Sequence, residues 1–272
     1  MPVIPARPSQ LPIAITMGDP AGIGPEIIAK AFREDPAVTA GCFVVGDMAT
    51  LRRASAVVSG PGRPLIPVAG IDAPQEAYAT PPRCIPVLQT PQRLGPVAVG
   101  RVSAEAGQAA ADCVVWAAQA ALRKEIGAIV TAPLHKEALA AAGISYPGHT
   151  ELLQAQAAAF LGKSVSDVPV RMMLANDELR TVLLSIHVAL RDAIDAVTPE
   201  NLQETLRITH ESVGALLQRA PRIGVAGLNP HAGEGGLFGR EEIDTIAPTI
   251  ETARRAGMDV SGPFPPDTVF MR

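Results

Sequence analysis

Aromatic side chains are scarce: 3% of the 272 residues, with a single Trp. A core must therefore be built mainly from Ala, Val, Leu and Ile. Hydrophobic residues reach 47% and charged ones only 18%, which makes such a core available and argues against global disorder. Cysteine is rare and odd in number. Cys42, Cys84 and Cys113 lie far apart, with neither disulfide-framework nor zinc-ribbon spacing, and fit a reducing compartment. Clusters of Lys and Arg are missing and the net charge is −4, which argues against a nucleic-acid partner. No apolar run approaches a membrane span, and the opening MPVIPARPSQ lacks the apolar region of a signal peptide. The expectation is a soluble cytoplasmic protein, bound to neither nucleic acid nor membrane.

What is present alternates. LPIAITM (11–17) and CFVV (42–45) read as short buried strands, and AIVT (128–131) as another. Between the first two, GDPAGIGPEIIAKAF opens a helix, with Pro25 in its first turn and Glu26 complementing the dipole. The proline-rich stretch 59–96 predicts loops and edge strands. Ser103 caps an Ala-rich helix running to Lys124. Short helices follow over 136–142 and 150–161. Strands are expected over 171–175 and 181–186, the second ending at His187. After Thr198 and Pro199 a helix runs to Leu217. A strand over 222–228 feeds a glycine-rich loop, and a helix over 241–256 closes at Gly257. The class is α/β with a largely parallel sheet and no internal repeats. In such folds ligands bind beyond the carboxyl ends of the strands, where Asp19, His187 and His231 are expected.

Each candidate has a chemical and a plain reading. GDPAGIGPE is neither the dinucleotide fingerprint nor a phosphate-binding P-loop. It is either a tight strand-to-helix turn or a turn that presents an exposed Asp19 to a ligand. His187 (SIHVALRD) and His231 (NPHAGEGG) are imidazoles of the kind that ligate divalent ions, and hydrogen-bonded structural roles stand beside that. GLNPHAGEGGLFGREE spends five glycines around one His, as a segment wrapping a ligand, a metal or another chain would. His149 and Thr150 (YPGHTE) open a helix and suit a phosphate or carboxylate, unless Thr150 is merely the cap. His135 reads as a surface residue and His210 as a structural one. Asp267 (GPFPPDT) is an acid held by prolines, a base or metal-supporting group or else a solvated turn residue.

Taken in order, ITMGDPAGIGPEI, VTAPLHKEAL, YPGHTELL, SIHVALRDA, GLNPHAGEGGLFGREEID and GPFPPDT resemble the motifs of the 4-hydroxythreonine-4-phosphate dehydrogenase family. The resemblance runs from Ile13 to the chain end. It implies an NAD-dependent, divalent-metal-dependent enzyme (zinc, magnesium or cobalt) of pyridoxine synthesis. Such enzymes oxidise the secondary alcohol of 4-phosphooxy-L-threonine, and the β-keto acid loses CO₂ to give 3-amino-2-oxopropyl phosphate. It also implies a homodimer with sites at the subunit interface, and a fold like that of isocitrate and isopropylmalate dehydrogenases, two α/β domains with a cleft between them. The domains expected are 1–135 and 136–272, the second carrying the metal and substrate residues. By resemblance, His149 and Thr150 bind substrate, His187 and His231 are two of three metal histidines, and Asp267 transfers a proton or supports the metal. Family chains continue past residue 272, carrying a third metal His and further substrate residues and returning to the first domain, so a C-terminal truncation is expected. Two alternatives stay open: a dehydrogenase of 4-phospho-D-threonate or 4-phospho-D-erythronate, and an inactive fragment.

Overall fold

A computed structural model describes residues 11–90 and 94–271. The signal-peptide reading of the first ten residues, the 91–93 part of the proline-rich stretch and the chain end at Arg272 lie outside the described residues. The chain divides into two compact units, Met1–Pro169 and Val170–Arg272.

The first unit runs β1 (Ile13–Thr16), α1 (Gly24–Glu34), β2 (Cys42–Gly46), α2 (Met48–Ser59), β3 (Val68–Ile71), β4 (Ile85–Gln89), α3 (Ala104–Leu122), β5 (Ala128–Thr131), α4 (Lys136–Ala141) and α5 (His149–Leu161). Its five strands form one parallel sheet in the order β3-β4-β2-β1-β5. The helix starts follow local chemistry: Ser103 accepts from Ala106 N–H and Asp47 from Thr50 N–H, each filling an orphan donor. The central strands are apolar apart from Thr16 and Gln89 at their carboxyl ends, because both faces are covered, and Phe43 meets Trp116 edge-on at 6.0 Å. α4 and α5 both pack on α3. The compact unit therefore continues beyond the 135/136 boundary drawn from sequence.

Two expectations about strand position are corrected. β4 lies inside the sheet rather than at its edge. Its Pro86 is tolerated because the ladder to β2 begins only at Val44–Val87, so the missing N–H breaks no bond there. Among the described residues β5 lies at one edge of the sheet, β3 at the other, and β5 is largely exposed rather than buried.

The turn after β1 fixes the geometry of the strand ends. Gly18 has φ +73°, and a Cβ there would run into the Pro133 carbonyl and sit 2.9 Å from Ala132 backbone. Asp19 N–H donates to the Pro133 carbonyl at 2.9 Å, tying this turn to the end of β5. Gly18→Ala is expected to cost about 2–3 kcal/mol, from the left-handed backbone and the backbone overlap together. A thermal midpoint equal to that of the parent chain would refute this packing.

The second unit runs β6 (Met173–Ala175), β7 (Arg180–Val182), α6 (Leu190–Asp195), α7 (Pro199–Leu217), β8 (Ile223–Ala226), α8 (Ala247–Arg255) and β9 (Val260–Phe264). β6 and β7 form an antiparallel hairpin, and β8 pairs with β9 in parallel with an irregularity between Gly224 and Ala226. The apolar cluster of Leu202, Leu206, Ile246, Ile250, Ala253 and Val260 joins α7, α8 and β9. Thr198 caps α7 by accepting from Asn201 N–H. β9 was not expected, because Gly262 and Pro263 disguise it. The helix expected from 241 begins instead as a π turn over Glu242–Ile246 before α8.

Candidate functional site

In the first unit the carboxyl ends of β1 and β5 meet the start of α5. Gly148 precedes α5 with no side-chain cap, so Thr150 is not the cap. The N–H groups of the first turn are therefore open to an anion. The His149 ring bonds to the Ala132 carbonyl, next to the Pro133 carbonyl that holds Asp19 N–H. Burial pushes the imidazole pKa down, against that hydrogen bond, so the ring is neutral near pH 7. Its Nε2 is buried without a partner, as is the Thr16 hydroxyl at the end of β1. An orphaned ring nitrogen at an uncapped helix start is a place for a polar ligand. Asp19 does not fit its exposed reading. It is 6% accessible and its Oδ1 accepts from Ala21 N–H at 2.8 Å, so it builds the turn. His135 is exposed, as read.

In the second unit β8 leads into the glycine-rich loop. Residues 231–235 all take left-handed backbone: His231 φ 54°, Ala232 53°, Gly233 79°, Glu234 46°, Gly235 66°. A left-handed turn costs L-residues about 1–2 kcal/mol each, so three non-glycine residues hold considerable strain here. The anchor is Glu242, 3% accessible. Its Oε1 accepts from the N–H groups of Leu228 and Asn229, both at 2.7 Å, and its Oε2 from Asn229 Nδ2 at 2.9 Å. A Cβ on Gly227 would sit 2.9 Å from Oε1, and one on Gly233 2.7 Å from Oε2. Two of the five glycines thus make room for the loop's own carboxylate, a partner the sequence pattern did not show.

The loop presents His231 outward. Its Nδ1 lies 3.3 Å from Asp267 Oδ2, and both side chains are about half exposed, at 59% and 46%. This joins two residues singled out separately in the sequence. His187 is different. β7 stops at Val182, so His187 sits in the irregular strap beyond it, exposed and with φ 55°. His231 and Asp267 have the donor types a divalent ion takes. No three of the described His, Cys, Asp or Glu residues are gathered into a metal cluster. His210 lies within α7 with a buried, unpartnered Nδ1.

The family model of pyridoxal phosphate biosynthetic protein PdxA matches residues 39–272. The 4-hydroxythreonine-4-phosphate dehydrogenase of Beijerinckia indica subsp. indica is 49% identical, over 96% of this chain and 73% of its own length. The D-threonate 4-phosphate dehydrogenase of Salmonella typhimurium is 44% identical, over 96% of this chain and 76% of its own. The crystal structure of a 4-hydroxythreonine-4-phosphate dehydrogenase from Klebsiella pneumoniae superposes with a TM-score of 0.85 at 40% identity, over 98% of this chain and 77% of that one.

Proposed function

The chain belongs to the PdxA family, and we propose that it oxidises 4-phosphooxy-L-threonine with NAD, the product then losing CO₂ to give 3-amino-2-oxopropyl phosphate. The likeness to the Beijerinckia enzyme, stronger than that to the Salmonella one, carries this choice of substrate. We place the activity in pyridoxal phosphate synthesis, in the cytoplasm, where three buried free thiols suit a reducing medium. A homodimer fits the apolar Leu237 and Phe238 that the glycine-rich loop leaves exposed. Among the described residues no helix is long and apolar enough to cross a membrane.

The surroundings of His149, Thr150, His231 and Asp267 support the chemistry assigned to them here, and His187 is assigned by its place in the family motif. The first-turn N–H groups of α5, with the Thr150 hydroxyl, favour an anionic group of the substrate. A neutral His149 with one nitrogen engaged by Ala132 has the other free to accept from a substrate hydroxyl. His187 and His231 are assigned to a divalent ion of the zinc, magnesium or cobalt kind. Such an ion, when bound, polarises an alcohol and steadies a developing keto oxygen. Asp267 orients the His231 ring through Nδ1, leaving Nε2 outward, or takes up a proton beside it.

Reduction of NAD is the direct test. With 4-phosphooxy-L-threonine as substrate, turnover is expected to stop with chelator and return with added divalent ion. The kcat/KM is expected to exceed that for 4-phospho-D-threonate or 4-phospho-D-erythronate by about tenfold or more, the scale that one repositioned group allows. Preference for 4-phospho-D-threonate would favour the second reading, which the D-threonate relatives support. Absence of turnover with all three would favour the inactive fragment.

A further inference from the structure

A concavity lies in the first unit at the opposite ends of the strands. It is lined by Arg33 at the end of α1, Ser59 at the end of α2, the segment 63–67 that enters β3, and Arg83 just before β4. Its volume is about 320 Å³. The site described above gathers at the carboxyl ends, so this one is separate from it.

Its walls are fixed. Ser55 Oγ donates to the Ile66 carbonyl at 2.9 Å and accepts from Ile66 N–H at 2.8 Å, pinning the 63–67 strap to α2. Arg33 is committed to the wall, donating to the Val58 carbonyl and to Glu34 Oε1, each at 2.6 Å. Ser59 comes one helical turn after Ser55, on the same face of α2. It is 2% accessible, and its hydroxyl has no partner. A buried hydroxyl is rarely left unpaired, so this one calls for a ligand acceptor. Arg63 and Arg83 are exposed, line the same concavity and have no acidic partner among the described residues. In a chain of net charge −4, two uncommitted guanidiniums beside an orphaned hydroxyl form a local excess of donors. The remaining lining, Pro64, Leu65, Ile66 and Pro67, is apolar.

We propose that this concavity binds a phosphate monoester. Arg63, Arg83 and the Ser59 hydroxyl take the phosphate oxygens, and the apolar part of the ester rests on Pro64, Leu65 and Pro67. Guanidiniums fork onto phosphate oxygens with short, charge-assisted bonds, and a hydroxyl supplies one further donor.

The test uses the full chain with phenyl phosphate and inorganic phosphate as probes. Arginines are modified with phenylglyoxal and the modified peptides mapped, a readout that is local to each Arg and independent of turnover. Phenyl phosphate is expected to protect Arg63 and Arg83, and chloride at equal ionic strength is not. In titrations, Arg63→Ala with Arg83→Ala is expected to weaken this binding about tenfold or more, as loss of a charged hydrogen bond implies, while NAD reduction is unchanged. Ser59→Ala is expected to weaken it by a smaller factor. No protection by either phosphate, or equal protection by chloride, overturns the site. Equal protection by both phosphates overturns the ester and leaves a site for inorganic phosphate. A chain without NAD turnover but with protected arginines would sink the proposed reaction and not this site.

Discussion

Replacing His231 by Asn is expected to lower kcat/KM for the proposed dehydrogenation by on the order of 10³-fold, while the fold stays intact. The size follows from the several kcal/mol that a divalent ion contributes to a developing charge, at 1.4 kcal/mol per factor of ten. Asn is the informative substitution because His231 has φ 54° and ψ 28°, backbone that Asn tolerates better than Ala does. The loss then reports the imidazole and not a relaxed loop. The ring is more than half exposed, so its removal leaves stability nearly unchanged. Steady-state kinetics at saturating divalent ion, with ion affinity from equilibrium dialysis, checks both halves. Activity within tenfold of the parent chain would remove His231 from the metal reading. Unfolding of the variant would show that the ring supports the loop instead.

The sequence showed local features well and sheet positions poorly. The caps at Ser103 and Thr198 and the Gly18 turn were readable because each depends on neighbours a few residues away. The interior place of β4, the exposure of β5 and the existence of β9 depend on partners far along the chain. A Pro or a Gly-Pro pair in a strand says nothing about which ladder lies beside it. The site divides the same way. His149, His231 and Asp267 stood out by residue type and loop chemistry, and the second unit brings the last two together. His187 was expected at a strand end, and the strand stops well before it. Glu242 was missed because its partners are backbone N–H groups and one Asn, which leave no pattern in composition. Only the density of glycines hinted at it. The expectation was that they made room for a metal or a neighbouring chain, and at Gly227 and Gly233 they make room for Glu242.

That carboxylate carries the second large effect. Glu242→Ala is expected to destabilise the second unit by about 4 kcal/mol, since it strips the acceptor from two backbone donors that cost roughly 1–3 kcal/mol each when left unpaired, and one of two acceptors from the Asn229 amide, which keeps Glu241 Oε2 at 2.6 Å. The donors are the N–H groups of Leu228 and Asn229 and the Asn229 side-chain amide. The strained left-handed turn at 231–235 would then relax, taking His231 from Asp267. Glu242→Gln keeps the shape and an acceptor but loses the charge, and is expected to fall between. The pH dependence separates charge from shape. Burial alone would raise the Glu242 pKa, but the bonds from Asn229 and Leu228 outweigh it and hold the value below the ordinary 4.5. A group whose folded pKa is depressed stabilises the fold above its unfolded value and loses that contribution as pH falls through the folded one. The stability gap between the parent chain and Glu242→Gln should therefore be full at neutral pH and narrow progressively below pH 4.5. Hydrogen exchange at the Leu228 and Asn229 amides reads this locally, with denaturant unfolding as the global measure. A gap that stayed constant down to acid pH would mean that the loop is held by shape alone.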